Sequence, residues 1–569
     1  MCSRVLHAAL LAFLLSGCAT TRPDFSGGLA TSAGGMVASD DAAASDAGLE
    51  ILNQGGNAID AAVATAFALA VVYPEAGNLG GGGFLVARLA TGKFAALDFR
   101  EKAPLRATHD MFLAPDGEPT DGSLVGHRAS GVPGSVAGLW EAHRTYGRLP
   151  WRTVMAPALR LAGRGFPVSE RFARTLRADS ALLVRFDASR RLFFHEGRTL
   201  APGTVWQNPD LARTLERIAE QGAGGFYAGE TADCIVEEMS RGGGIITRED
   251  LASYHAVWRA PIAFTYRNHT IVSMPPPSSG GATLALLCGI LGVDDLHALG
   301  WNSPVAVHIE VEAMRRAFAI RNAFLGDPDF VSIPLDSLLS PAVVTALRQE
   351  ISTAQATPSS QITIPPQASP REGTHTTHLS AIDAEGNAVA LTTTINALYG
   401  SGVLVGGAGF LLNNEMDDFA VKPGTPNMFG LVQGEANAIA PGKRILSSMT
   451  PTIVCSADGS PLIVTGARGG PHIITAVFQV LSNVLDHGMD LPDAVTAPRF
   501  HHQHLPDRLV YEEGALAPDA ARQLEQLGHT LQRSGALGSA PTLLHHAARW
   551  SGMGDPRTGG AARGQSVLP

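Results

Sequence analysis

The run from Thr376 to Ile395 leaves the chain little freedom in how it folds locally. Threonine, leucine, isoleucine, valine and alanine dominate Thr376–Ile382 and Ala388–Ile395, and these side chains suit a pleated, buried surface. Between them Asp383-Ala384-Glu385-Gly386-Asn387 has the chemistry of a turn. The pattern predicts an antiparallel hairpin. With the turn centred on Glu385, Thr376 faces Thr394 across the ladder, at a separation of about 4.5 to 5.5 Å. A second hydroxyl is thus placed beside the first by register alone. Asn396, two residues beyond Thr394, is expected on the same face by strand alternation, whereas Thr392 and Thr393 read simply as strand formers.

What precedes the hairpin is of the opposite character. From Ser352 to Gly373 the composition shifts to Ser, Thr, Gln and Pro with no apolar period, which predicts a mobile stretch. Thr376 stands where the two meet, in Gly373-Thr374-His375-Thr376-Thr377-His378. If the bond between His375 and Thr376 were broken, Thr376 would carry a hydroxyl nucleophile and a free α-amine on one residue. That is a complete pairing of nucleophile and base.

The rest of the chain can support a large fold around this unit. Its 569 residues are 45% hydrophobic and 17% charged, enough for extensive buried cores, and 63 glycines and 36 prolines without a repeat imply many turns around β-structure. A formal charge of -10 with no basic stripe argues against a nucleic-acid partner. Arg4 followed by the apolar Val5 to Leu15 is too short to cross a bilayer of about 30 Å at 1.5 Å per residue, but it fits a signal-peptide core over residues 1–17. Leu15-Ser16-Gly17-Cys18 looks like a bacterial lipoprotein box, with Cys18 the lipidated residue and the outer membrane the expected address; a plain secreted signal is the alternative. Cys234, Cys288 and Cys455 form no disulfide or metal spacing and read as buried apolar residues.

Several segments could surround the hairpin. A helical pattern follows Asp40-Asp41, and Ile59–Val72 is apolar nearly all round, so it should be a buried helix. Gly80-Gly81-Gly82-Gly83 opens a strand pair, Phe84 to Ala90 and Phe94 to Phe99, with Arg100 at its far end, a good place for a substrate-holding cation or else a surface arginine. The glycine run lacks the Lys-Ser/Thr of a phosphate loop. Pro275-Pro276-Pro277-Ser278-Ser279-Gly280-Gly281 predicts a loop near the site. Gly409 to Leu412 reads as a buried strand ending in Asn413-Asn414-Glu415-Met416-Asp417-Asp418, carboxylates that could hold an ammonium group or a metal, or form a solvated turn. Leu446-Ser447-Ser448-Met449 leads a strand to Val454. Leu462–Thr465 then runs into Gly466-Ala467-Arg468-Gly469-Gly470-Pro471 before an apolar helix. A strand, a diglycine and a proline at the first helical position can aim N–H groups at one point and stabilise an oxyanion. His501-His502-Gln503-His504 could bind metal, but no carboxylate spacing supports it.

Taken together these motifs resemble the gamma-glutamyltransferases, or glutathione hydrolases, of the N-terminal nucleophile hydrolase superfamily. The resemblance runs from about Ala33 to Asp555. It rests on Gly56-Asn57-Ala58-Ile59-Asp60-Ala61-Ala62, Asp98-Phe99-Arg100-Glu101, Thr376-Thr377-His378-Leu379-Ser380, Asn413 to Phe419, Ser447-Ser448-Met449 and Asp555-Pro556-Arg557. It implies an α+β fold, a four-layer αββα sandwich, and a precursor that cleaves itself between His375 and Thr376. The products would be a large subunit, 18–375, and a small one, 376–569, held as a heterodimer. It also implies cleavage of γ-glutamyl amides such as glutathione through an acyl-enzyme on Thr376, with transfer to water, amino acids or peptides and no cofactor. By the same resemblance Arg100, Ser447 and Ser448 hold the substrate α-carboxylate, Asn396, Glu415 and Asp418 hold its α-ammonium, Gly469 and Gly470 supply oxyanion N–H groups, and Thr394 orients the Thr376 hydroxyl. Glu415 stands where bacterial relatives often have glutamine. Phe429, in the stretch Lys422–Lys443 that resembles a lid loop, stands where many have tyrosine. Two other readings remain open on the residues alone: a cephalosporin or glutaryl acylase of the same superfamily, and a lipid-anchored binding protein without catalysis.

Overall fold

The computed structural model describes residues 28–362, 376–425 and 434–566; Cys18, His375 and Phe429 lie outside the described residues. The hairpin forms as expected and lies at the centre of a sheet. Thr376–Ile382 pairs with Ala388–Thr394, with Thr376 opposite Thr394. The returning strand stops at Thr394, before Ile395, and Asn396 takes a left-handed backbone with φ 70°. Strand alternation therefore does not carry as far as Asn396, whose direction is set by this turn.

The hairpin's sheet has seven strands in the order Ala561–Gly564, Met36–Ser39, Thr376–Ile382, Ala388–Thr394, Gly82–Arg88, Phe94–Phe99, Val257–Arg259. A second seven-stranded sheet runs Leu29–Ser32, Arg549–Met553, Thr542–His546, Pro461–Thr465, Thr452–Cys455, His269–Ser273, Ile262–Tyr266. Neighbouring strands in both are antiparallel. The sheets stack face to face through their centres. Even-numbered residues of the Thr376–Ile382 strand point between them: the His378 ring lies against Gly466, and Ser380 donates to the Pro541 carbonyl at 3.1 Å. Odd-numbered Leu379 and Ala381 face away and join the core that includes the Ala58–Val72 helix.

Helices close both outer faces and complete an αββα sandwich, the α+β fold the resemblance implied. Ala42–Asn53 and Ala58–Val72 cover the hairpin's sheet, and Gly280–Leu291 and His472–Leu485 lie on the other. Local chemistry starts the first two. Asp41 accepts the Ala43 N–H, and Asn57 and Asp60 form a reciprocal capping box. Every residue of Ala58–Val72 is buried, which its alanine content allows by letting neighbouring backbones approach.

Four local expectations are corrected. Gly409–Leu412 is not a strand: only the isolated bridges Gly80↔Leu412 and Leu404↔Leu411 form there, and Glu415–Asp418 is a 3-10 turn. The reason is that the Asn413 side chain takes the place of a ladder, donating to the carbonyls of Gly80 and Gly131 at 2.8 Å each and accepting from the N–H of Gly131 and Glu415. Pro471 caps its helix rather than opening it, since the helix begins at His472. The stretch after Ser352 is held as far as Ile362, because Ser359 N–H donates to Asp507 at 2.7 Å and Ser359 Oγ to the His504 carbonyl at 2.6 Å. Cys288 and Cys455 are buried as expected, while Cys234 is partly exposed.

Candidate active site

Thr376 and Thr394 are both buried, 3% exposed, at the end of the hairpin face that looks toward the second sheet. Their positions are fixed by groups that lie outside the hairpin. Asp40, 1% exposed, accepts from Thr377 Oγ1 at 2.9 Å and His378 N–H at 3.1 Å with one oxygen, and from Ser539 Oγ at 2.7 Å and Thr558 Oγ1 at 2.8 Å with the other. A buried carboxylate satisfied by that many donors is a rigid peg for the residue beside Thr376. On the partner strand the Asn78 amide donates to the Thr394 carbonyl at 2.9 Å and to Thr393 Oγ1 at 3.1 Å. The Asn396 N–H donates to Thr394 Oγ1 at 2.9 Å, which orients that hydroxyl.

His378, two residues along the strand, carries an imidazole that is unsuited to act as a base. Its two ring nitrogens bond Thr392 Oγ1 at 2.8 Å and Ser380 Oγ at 3.1 Å, and burial pushes its pKa down to about 3. It is a neutral tie between threonine and serine hydroxyls.

A charged cluster gathers residues from three distant segments. Arg100 Nη1 meets Glu415 Oε1 at 2.5 Å and Glu101 Oε2 at 3.3 Å, Nη2 meets Asp418 Oδ2 at 2.8 Å, and Nε and Nη2 reach the carbonyls of Ile445 and Leu446. All four side chains are almost wholly buried. Arg100 and Asp418 are thus in direct contact and do not stand as separate walls. That arrangement suits an α-amino acid, whose own carboxylate and ammonium are neighbours and can lie along an ion pair. Burial, added to by the neighbouring carboxylate charge, raises the Glu415 carboxyl to about 8, and burial raises Glu101 to about 7. Glu415 Oε2, Glu101 Oε1 and Asn396 Oδ1 are buried oxygens without a hydrogen-bond partner among the described residues. Of these the Asn396 amide oxygen can only accept, and a buried acceptor in that state calls for a donor such as an N–H group.

Ser447 and Ser448 follow directly on the two carbonyls that hold Arg100, and both are buried. Ser447 Oγ accepts the Met449 N–H at 3.1 Å, and Ser448 Oγ accepts from Arg321 Nη2 at 3.2 Å. Each hydroxyl oxygen is engaged as an acceptor, which leaves its own proton to give to an anion. The expected loop ends at Ser279, with Gly280 and Gly281 already opening the Gly280–Leu291 helix, and it packs here: Ser278 bridges Ser447, and Ser279 donates to the Ser447 carbonyl at 2.7 Å. Gly469 and Gly470 follow the Pro461–Thr465 strand with φ 129° and 59°, backbone that only glycine adopts freely. Among the described residues neither N–H is taken up by a hydrogen bond.

Asp40, Asn78, Glu101 and Arg321 complete the arrangement, and local sequence pattern does not single them out for any role in it. Asp40 is legible only as a helix-flanking acid. Arg321 carries a usable signal, a charged residue inside the Pro304–Phe324 helix, where it is buried and also bonds Ser279 Oγ at 2.9 Å. Asn78 carries none.

The geometry can be set beside known proteins. The family model described as gamma-glutamyltranspeptidase matches residues 44–565. The chain is 46% identical over 527 residues to a protein of Escherichia coli (strain K12) named glutathione hydrolase proenzyme, covering 92% of this chain and 90% of that one. Among solved structures it is similar to a cephalosporin acylase from Bacillus halodurans, with a TM-score of 0.83, 29% identity, and coverage of 95% of this chain and 97% of that one. It is also similar to the gamma-glutamyltranspeptidase of Helicobacter pylori, with a TM-score of 0.56, 46% identity, and coverage of 57% of this chain and 93% of that one.

Proposed function

The chain belongs to the gamma-glutamyltranspeptidase family, and from that premise we propose that it cleaves γ-glutamyl amides, glutathione among them, with Thr376 as nucleophile. The observation that carries the reading is the buried cluster of Arg100, Glu415 and Asp418 with the orphaned Asn396 Oδ1 beside it. The α-carboxylate would bind to Arg100 and the free hydroxyl protons of Ser447 and Ser448. The α-ammonium would satisfy Asn396, Glu415 and Asp418.

The reaction begins with the chain itself. Thr376 Oγ attacks the His375 carbonyl carbon, the C–N bond breaks as the acyl group moves from nitrogen to oxygen, and water then hydrolyses the ester. This frees the Thr376 α-amine, and residues 18–375 and 376–569 remain together as a heterodimer. An α-amine has a reference pKa of about 7.7 to 8.0 and is available as a base near neutral pH. It takes the Thr376 hydroxyl proton, Oγ adds to the γ-carbonyl, and the oxyanion is held by the N–H groups of Gly469 and Gly470. The leaving amine collects the proton, and water or an acceptor amine then attacks the acyl-enzyme. The Helicobacter pylori chain, matched over 93% of its length, spans only 57% of this one, which supports processing into two pieces.

Export follows from the apolar Val5–Leu15 segment, and lipid attachment at Cys18 is part of the same proposal; mass analysis of the mature N-terminus tests it. No helix of the described residues is long and apolar enough to cross a membrane. The acylase reading is favoured by the Bacillus halodurans likeness, but a glutaryl group lacks the ammonium that would donate to the unpartnered Asn396 Oδ1 and pair with Asp418. Rapid quenching during turnover of a γ-glutamyl anilide, followed by mass mapping, should find one glutamyl group on the fragment beginning at Thr376. Glutaryl anilides should be cleaved far more slowly. Faster cleavage of the glutaryl substrate, or an acyl group on another residue, would reject this function.

A further inference from the structure

Between the carboxylates of Glu415 and Asp418 and the hydroxyls of Ser447 and Ser448 the chain passes through a single 3-10 turn, Glu435–Asn437, which ends on the buried amide of Asn437. Asn437 Nδ2 donates to the Asp418 carbonyl at 2.7 Å, and its Oδ1 accepts the Leu446 N–H at 3.2 Å. The Leu446 carbonyl in turn accepts from Arg100 Nη2, which also meets the Asp418 carboxylate. Arg100, Asp418, Asn437 and Leu446 therefore close a ring of hydrogen bonds. One side of the ring carries Glu415 and Asp418, and the other leads directly into Ser447 and Ser448. Asn437 joins the two sides opposite Arg100. An amide suits that place because it presents a donor and an acceptor in one rigid plane, whereas an aspartate would set an oxygen against the Asp418 carbonyl.

The backbone of Asn437 is held as well. Its carbonyl accepts the Ala420 N–H at 2.9 Å, and Lys443 Nζ donates to the carbonyls on either side, Ala436 at 2.8 Å and Ala438 at 3.0 Å. Lys443 is buried, and that burial lowers its pKa to about 8, so it carries its charge at neutral pH. Its own backbone pairs with the segment that follows Arg100: the Ala103 N–H donates to the Lys443 carbonyl at 2.8 Å, and the Gly442 N–H to the Ala103 carbonyl at 3.0 Å. All three segments that build the glutamyl cluster are thus tied to residues 437–446.

We propose that Asn437, braced by Lys443, is a strut that sets the spacing between the carboxylate wall and the hydroxyl wall of the glutamyl pocket, and so acts as a specificity-determining positioning residue for acyl groups that carry an ammonium and a carboxylate on one carbon. The proposal rests on the γ-glutamyl reading above and deepens it. Two charges on one carbon stand at a fixed separation, so a substrate that engages both walls is sensitive to their spacing, whereas one that engages a single wall is not. Asn437 itself acts through Asp418 and Leu446.

The test compares γ-glutamyl-4-nitroanilide with glutaryl-4-nitroanilide, which keeps the carboxylate and lacks the ammonium, in the processed wild type, Asn437→Ala and Lys443→Met. The readout is the ratio of kcat/KM for the γ-glutamyl over the glutaryl substrate. This ratio does not depend on how much of a preparation is folded or processed, so a loss of yield in a variant does not move it. The expected result is a drop of about five- to tenfold in Asn437→Ala and about two- to threefold in Lys443→Met, which keeps the buried stem and loses the ammonium. An unchanged ratio in Asn437→Ala overturns the strut whatever happens to the absolute rates, and an unchanged ratio in Lys443→Met overturns the bracing. A wild type that prefers the glutaryl anilide would instead reject the γ-glutamyl reading before either variant is compared.

Discussion

At the scale of single residues, the site depends on where buried charge is placed. Asp40 is the clearest case, because it pins Thr377 and the His378 N–H on one oxygen and Ser539 and Thr558 on the other. Asp40→Asn replaces one acceptor oxygen with an amide that points hydrogens at hydroxyl or N–H donors. Hydrogen bonds to a charged acceptor contribute about 1.5 to 3 kcal/mol, and a buried donor left unmade costs a similar amount. We expect a loss of about 3 kcal/mol in denaturant unfolding and slower appearance of processed fragments. Wild-type stability together with wild-type processing would show that Asp40 is not the peg described here. The paired threonines are legible in the sequence because antiparallel register is arithmetic once the turn is placed. The roles of Asp40 and Asn78 are not, because their partners are hundreds of residues away and no local period reports a contact of that kind.

At the scale of elements, the tightest constraint is the meeting of the two sheets beneath Thr376. A Cβ added at Gly466 would lie 2.4 Å from His378 Cε1 and 2.6 Å from Nδ1, and that ring is held on both sides by hydroxyls. Gly466→Ala should therefore cost about 2 to 3 kcal/mol and lower activity by displacing the strand that leads to Gly469. Gly163, near the end of the Trp151–Arg164 helix with nothing within 4 Å of an added Cβ, provides the control: Gly163→Ala should be neutral or slightly stabilising. Equal melting temperatures for Gly466→Ala and wild type would contradict this packing. Strand and helix identities near the hairpin are readable from alternation and capping. The Gly409–Leu412 segment is not, because its apolar run matches a strand, while the side chain that replaces the ladder, Asn413, has the same composition in a turn.

At the scale of the molecule, the buried titratable groups set a pH profile. Burial holds His378 and His529 down to about 3 and His472 and His502 down to about 4. As pH falls below the ordinary histidine value of about 6.5, the unfolded chain takes up protons that the folded chain refuses. Stability from these groups is thus present above about pH 6.5 and is lost as pH falls toward 4. The raised carboxyls of Glu101 and Glu415 act in the other direction. The folded chain keeps their protons where the unfolded chain has released them, so their contribution is present below the ordinary carboxyl range and is lost as pH rises through about 7 to 8. The melting temperature should peak near neutral pH and fall steeply between pH 6.5 and 4.5, by an amount corresponding to about 1 to 2 kcal/mol per buried histidine. A flat profile across that interval would show that these imidazoles are not held neutral.

The central claim is that Thr376 becomes a chain terminus. Intact-mass analysis of the purified protein, with terminal sequencing of the smaller fragment, tests it most directly. Wild type should give two fragments, the smaller starting at Thr376, while Thr376→Ala should give one uncut chain without turnover. An active wild type that remains a single chain, or a small fragment starting at any other residue, would contradict the account.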